Sequence, residues 1–165
     1  MTTALDPLDY RRVVGRFATG VTVVSTTLGG EHHAMTCSSF ASVSLDPVLV
    51  LFCAEKVARF HDSVLATGTW GVSVLAVEQA VLSEHFAHRG RDLGRQFDGV
   101  QYVVGEHTGA ALLHGSLATL ECRTVSTTDG GDHTVVLGEV LGLGLPDPHG
   151  RPLLFFEGRY GTFSD

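Results

Sequence analysis

Apolar positions along the chain either alternate with polar ones or gather in short β-branched runs, and helical spacing appears in only three places. Asp6-Pro7 offers an acidic N-cap followed by proline in a first turn. Leu8, Val13 and Phe17 then fall on roughly one face, so the spacing predicts a helix over about 7–18, ended by Gly20. Residues 21–27 are nearly all β-branched, Gly29-Gly30 supplies a turn, and 31–36 returns as the second arm of a hairpin. The run 48–53 is continuously apolar, the pattern of a strand buried on both faces. A short helix is expected over 57–65, a strand over 69–76, and a helix over 78–87 with Val81, Leu82 and Phe86 turned inward. Residues 88–109 are rich in Gly and Arg without a period and read as one long loop, of the kind that serves as a lid or a binding loop. Long strands over 111–127 and 132–145 flank the turn Asp129-Gly130-Gly131, and two short ones fill 152–157 and 159–163. A meander with so few helices is a mainly β fold, a β-barrel with peripheral helices.

Composition narrows this picture. A chain of 165 residues fits a single domain over 1–165. With 18 acidic and 11 basic residues its formal charge is −7, and the one basic cluster, Arg89, Arg91 and Arg95, is too small a footprint for nucleic acid. An anionic membrane surface is disfavoured for the same reason. The three cysteines are odd in number, lack a C-x-x-C spacing and lie in strand-like runs, as reduced thiols of a cytoplasmic protein would. The N-terminus has no apolar core of a signal peptide, and no apolar run approaches the ~20 residues of a membrane-spanning helix. Among the nine histidines no set of three metal ligands stands out, so no metal site is expected.

Candidate chemistry centres on His32 to Pro47. Thr36, Cys37, Ser38 and Ser39 carry little bulk, so a flat polar ligand or a phosphate can approach the main-chain N–H groups, with hydroxyls beside them. The company of this stretch matters more. Arg16-Phe17-Ala18-Thr19-Gly20-Val21-Thr22-Val23-Val24, Ala34-Met35-Thr36 with Ser38-Ser39-Phe40, and Ser42-Val43-Ser44-Leu45-Asp46-Pro47 follow in order. Gly71-Val72-Ser73-Val74, Gly131-Asp132-His133-Thr134 and Gly158-Arg159-Tyr160-Gly161 complete the series. Together, over almost the whole chain, they resemble the flavin reductase family.

That resemblance implies an FMN-binding split barrel that reduces FMN or FAD with NADH or NADPH. It further implies a homodimer and a separate flavin-dependent monooxygenase that receives the reduced flavin. Met35, Thr36, Cys37, Ser38 and Ser39 would lie along the isoalloxazine edge, and His133 on the nicotinamide side as the catalytic residue. Phe86 and Arg89 would open a binding loop, and Tyr160 would pack either near the cofactors or in the core. Cys37 reads as a packing residue. Asp132 is placed to fix the His133 tautomer, although neighbours in a strand point to opposite faces. Hydride transfer between two stacked rings needs no protein nucleophile, in keeping with the absence of a Ser-His-Asp order or a nucleophile elbow.

One departure stands out. Family members carry a run of hydroxyls after the apolar strand, a collar for the flavin phosphate, where this chain has Glu55-Lys56-Val57-Ala58-Arg59-Phe60. Lys56 and Arg59 would supply charge in their place. The favoured reading is reduction of free flavin for a partner enzyme. The alternatives are an oxidoreductase that keeps its flavin for its own small substrate, and a flavin-binding protein without catalysis.

Overall fold

A computed structural model describes residues 5–164; residues 1–4 and 165, the ends of the expected domain, lie outside the described residues. The chain runs α1 (Pro7–Val14), β1 (Thr19–Gly20), β2 (Thr22–Leu28), β3 (Glu31–Cys37), β4 (Ala41–Leu45), β5 (Val48–Glu55), α2 (Arg59–Thr67), β6 (Thr69–Val74) and α3 (Ala80–Ala87). It continues with β7 (Tyr102–Val104), β8 (Ala111–Leu113), β9 (Ala118–Gly130), β10 (His133–Gly144), β11 (Leu154–Phe156) and β12 (Arg159–Gly161). The expected mainly β barrel with peripheral helices is what forms.

Seven strands make the main sheet in the order β3-β2-β6-β9-β10-β5-β4. Its two edge strands, β3 and β4, are consecutive in the chain and joined only by residues 38–40. Such a link spans at most about 14 Å of extended backbone, so the sheet must curl until its edges approach. No ladder closes the seam. Instead the Ser39 hydroxyl accepts from Cys53 N–H at 3.1 Å, fastening the link to β5. The β2–β3 turn has Leu28 opposite Glu31 with Gly29 and Gly30 at φ 62° and 85°, the two-residue hairpin that the Gly-Gly pair predicts.

Inside the barrel, Val24, Phe52, Phe60, Val64, Trp70, Val72, Cys122 and Val136 form one buried cluster. Trp70 donates its indole N–H to Thr124 Oγ1 at 3.1 Å. Its ring lies so close to Gly138 that an added Cβ would stand 2.4 Å from Cζ2, so only glycine fits there. A second cluster, Val21, Val23, Leu75, Phe86, Leu113 and Leu153, holds α3 and the C-terminal strands.

Several expectations are corrected. The first helix stops at Val14, and Gly20 lies in β1. Leu8, Val13 and Phe17 are 62%, 72% and 76% exposed, so no packing in the described protomer extends a short helix that is marginal alone. In β5 only Val50, Phe52 and Ala54 are buried, while Leu49, Leu51 and Cys53 are partly covered. The continuous apolar run therefore has one core face, because the barrel wall has no second layer outside it. Val81 is 75% exposed, whereas Ser83 and Phe86 are buried. The inward stripe of this helix includes polar residues satisfied by hydrogen bonds, with Ser83 Oγ 2.7 Å from the Tyr160 hydroxyl.

Residues 88–109 are not one loop. A 3-10 turn forms at Leu93–Arg95 and β7 pairs with β8. Gln96, 1% exposed, anchors the segment by donating to His32 O at 3.1 Å. The run 111–127 breaks where Gly115 adopts φ 79°, separating β8 from β9. Residues 41–45, left within the ligand-like stretch by the pattern, form the edge strand β4. Among the described residues no helix is long and apolar enough to cross a membrane.

Candidate active site

A cleft of about 590 Å³ opens at the seam. One wall is the end of β3 and the link beyond it, Met35 to Ser39, with Cys53 of β5. A second wall is Glu55, Val57, Ala58 and the first turn of α2, Arg59 and Phe60. Phe86, Ala87, Arg89 and Arg91 come from the end of α3 and the segment after it, and His133 enters from the start of β10. The ladder brings His133 there, because it pairs β10 with β5 so that His133 lies opposite Glu55.

The cleft is basic in an acidic protein. Arg59, Arg89 and Arg91 line it with Glu55 as the single carboxylate. Arg59 acts as a clamp, its Nη2 donating to Arg89 O at 3.1 Å and Arg91 O at 2.6 Å. Arg89 pairs with Glu55 at 2.6 Å. Arg91 donates to His88 O at 2.8 Å and to Ala34 O, and its guanidinium lies 5.9 Å from the Phe86 ring centroid. Burial, and then the charge of Arg59, pulls the Arg91 pKa down from its usual value.

The α2 N-terminus adds to this field. Ala58 is its N-cap and makes no side-chain cap hydrogen bond, so the leading N–H groups of a nine-residue helix lack the usual hydroxyl partner. Unsatisfied amides beside guanidiniums are the donor set that an anionic phosphate requires. The residues present therefore fit the phosphate end of a flavin, with amides and guanidiniums replacing the absent collar hydroxyls. Phe60, just inside, is buried and fixes the helix on the core.

Along the other wall the hydroxyls are not all free. Thr36 donates to Ser83 O at 2.6 Å, and Ser39 is engaged with Cys53, which leaves Ser38, exposed, as the remaining hydroxyl of the run. Cys37 is 4% exposed and joins the core cluster, and burial pushes its thiol pKa up.

Asp132 does reach its neighbour. Its Oδ1 lies 2.7 Å from His133 Nδ1, because Asp132 belongs to the turn and β10 begins only at His133, so strand alternation does not separate the two. The hydrogen bond with His133, followed by its charge, holds the Asp132 carboxyl below the usual range. The turn itself is tied down. Lys56 Nζ meets Asp129 Oδ2 at 2.9 Å, Lys56 N–H donates to Asp132 O at 2.9 Å, and Gly131 N–H donates to Asp129 Oδ1 at 2.8 Å.

Met35, Thr36, Cys37, Ser38, Ser39, Arg59, Phe86, Arg89 and His133 thus line one cleft. Lys56 and Tyr160 do not. The Lys56 ammonium is turned to Asp129, and Tyr160 packs beside the second core cluster with its hydroxyl on Ser83. Cys53, Glu55 and Arg91 were missed. Alternation along β5 puts residues 53 and 55 on one face and could have flagged the first two, whereas no local signal marks Arg91.

A curled β-barrel with a basic cleft at its seam defines a small protein that binds a flat, anionic ligand. The chain belongs to the flavin reductase like domain family, which matches residues 14–164. It is 46% identical over 160 residues to an NADH-dependent FAD reductase of Streptomyces globisporus, covering 96% of this chain and 87% of that one. It is 40% identical to the reductase subunit HsaB of a flavin-dependent monooxygenase from Mycobacterium tuberculosis, over 97% of this chain and 84% of the relative. The solved structure of the NADH:FAD oxidoreductase SgcE6 of Streptomyces globisporus C-1027, in complex with NAD and FAD fragments, superposes with a TM-score of 0.89. It is 44% identical, over 99% of this chain and 98% of that one.

Proposed function

We propose that this protein is an NAD(P)H:flavin oxidoreductase that reduces free FMN or FAD and releases it to a separate flavin-dependent monooxygenase. The observation that carries this reading is the juxtaposition, at one seam, of an uncapped helix N-terminus and three guanidiniums with a histidine held by a carboxylate. When both are bound, the dihydronicotinamide supplies a hydride directly to the flavin ring. The chain's own residues bind and orient. Arg89 and the first turn of α2 hold the phosphate, and Arg59 holds in place the segment that bears Arg89. Backbone N–H groups along Thr36 to Ser39 face the carbonyl edge of the ring, where reduction places negative charge. His133, its Nδ1 engaged by Asp132, presents Nε2 to the nicotinamide amide.

The collar favours exchange over retention. With Val57 and Ala58 in place of hydroxyls, the phosphate is held by charge at a water-filled surface, so flavin comes and goes as a substrate. The protein acts as a single cytoplasmic domain and as a homodimer. Supporting the dimer, Leu45, Leu143 and Leu145 stand 87%, 79% and 72% exposed, and β10 runs past the β4–β5 turn where Leu45 lies.

Steady-state NADH and NADPH oxidation with and without added flavin tests the assignment. Stimulation by free FMN or FAD is expected; turnover only with an organic substrate, or none, refutes it. His133→Ala is expected to lower nicotinamide-dependent turnover about tenfold or more while flavin affinity stays near wild type. Equal loss of both would place His133 in the flavin pocket instead.

A further inference from the structure

His61 is the third residue of α2 and does not line the cleft, yet its ring joins two of the elements that do. Its side chain is only 13% exposed. Nδ1 lies 2.9 Å from Asp62 Oδ1, and Nε2 lies 2.9 Å from the Thr134 hydroxyl, 73 positions away in β10. An ionised carboxylate only accepts, so Nδ1 carries the proton of the first bond, and Nε2 faces a hydroxyl able to donate to it or accept from it. Thr134 is buried, so little water competes for its oxygen. Along β10 Thr134 and Val136 are buried while His133 and Val135 are partly covered, so Thr134 turns inward where His133 turns to the cleft.

The short run from Lys56 to His61 therefore holds His133 from both flanks. Lys56 fastens the turn before it, with its ammonium on Asp129 and its N–H on Asp132 O. His61 fastens the residue after it. Between them lies Ala58, the N-cap that leaves the leading N–H groups of α2 for the flavin phosphate. Phe60 and Val64 are buried in the core, so the helix end of the tie is fixed.

We propose that His61 is a positioning residue for His133, setting through Thr134 the place of the nicotinamide-side histidine relative to the helix that receives the flavin phosphate. Hydride passes only between rings held in line, and a misplacement of about 1 Å from a change away from the chemistry can cost on the order of a hundredfold in rate. The kinetic consequence rests on the flavin reductase reading of the cleft, whereas the tie itself is measurable without turnover.

Two variants remove the tie from opposite ends, His61→Ala and Thr134→Val, the second keeping the shape of the side chain. With FMN saturating, each is expected to lower kcat/KM for NADH about tenfold, while the FMN Kd, from fluorescence titration without NADH, stays within about twofold of wild type. The losses should not add in the double variant, and His61→Gln, whose amide can reach the same hydroxyl, should recover most of the rate. In a His133→Ala background neither change should lower turnover further, because the group that they place is gone. A merely structural role would reduce activity in both backgrounds alike. Hydrogen exchange reads the tie directly: amides at the start of β10 should exchange about tenfold faster in both variants, with those of β2 unchanged.

Thr134→Val carries the test if His61→Ala does not fold. An unchanged kcat/KM for NADH in Thr134→Val, a parallel loss of FMN affinity, or the same loss of turnover in the His133→Ala background overturns the proposal. If the wild-type protein never oxidises NADH with flavin, the flavin reductase reading fails by itself, and exchange then decides the tie. Faster exchange confined to the start of β10 upholds it, and unchanged exchange overturns it.

Discussion

Removing the Arg59 guanidinium is expected to weaken flavin binding chiefly through the segment that it clamps. Arg59 donates to the carbonyls of Arg89 and Arg91, two hydrogen bonds from a charged group to a surface segment. Buried bonds of this kind contribute roughly 1.5–3 kcal/mol each. Here water replaces the donor once it is gone, so a net of about 0.5–1 kcal/mol each is appropriate. Releasing both costs about 1–2 kcal/mol of order in the segment that presents Arg89 and Arg91, which raises the flavin Kd about five- to thirtyfold. Fluorescence titration with FMN at low and at high salt measures it. Arg59→Lys separates clamp from charge: an ammonium restores the local field but lacks the planar fork that reaches two carbonyls at once. The lysine variant should therefore recover only a minor part of the loss, and limited proteolysis should cut the 88–92 segment faster in both variants. An Arg59→Ala protein that binds FMN within twofold of wild type, or full recovery by lysine, would refute the clamp.

Val57→Ser is expected to lower the flavin Kd about tenfold by restoring one hydroxyl to the collar, and an unchanged titration would refute that. Ala58 has the extended backbone that a capping residue needs, with φ −74° and ψ 134°, so Ala58→Ser should stabilise α2 by about 1 kcal/mol in a urea melt. Glu121→Ala should cost about 3–4 kcal/mol, because this carboxylate, 7% exposed, accepts from the N–H groups of His107 and Thr108 and from the Thr108 hydroxyl at 2.8–2.9 Å. A loss below about 1 kcal/mol would show that the segment resolvates freely. Lys56 depresses the Asp129 pKa and His133 that of Asp132, so the stability that they contribute is present above the ordinary carboxylate pKa near 4 and is lost as pH falls through the lowered folded value. The melting difference between wild type and Asp129→Asn should accordingly vanish in acid; a difference that persists there would refute the link.

How much was legible from sequence depends on how local the cause is. The β2–β3 hairpin was readable because Gly29-Gly30 fixes a two-residue turn and a β-branched run leads into it. The Thr36 to Ser39 wall and His133 were readable because each sits in a short motif. What failed was set by distant partners. The 88–109 stretch has no periodicity because its order comes from Gln96 reaching His32 and Arg91 reaching Ala34, contacts made across the fold. Lys56 reads as a phosphate ligand because it lies in the run that replaces the collar hydroxyls. Its side chain instead serves the hairpin that carries Asp129, a partner 73 positions away.

The same distant contacts explain why the cleft can hold an exchanging ligand without large rearrangement. Three of its walls are element ends, the least ordered parts of a fold when left alone. Each is tied to a neighbouring element: Ser39 to β5 through Cys53, Arg59 to the segment after α3, and Lys56 to the turn that bears His133. These ties use backbone carbonyls, amides and an exposed carboxylate rather than the ligand itself, so the shape exists before flavin arrives and little ordering cost falls on binding. Charge then sets the affinity, and charge at a wet surface is screened by salt. A site preorganised by its own hydrogen bonds but gripping its ligand mainly through screened charge favours rapid entry and rapid release, the kinetic requirement for delivering reduced flavin to another protein.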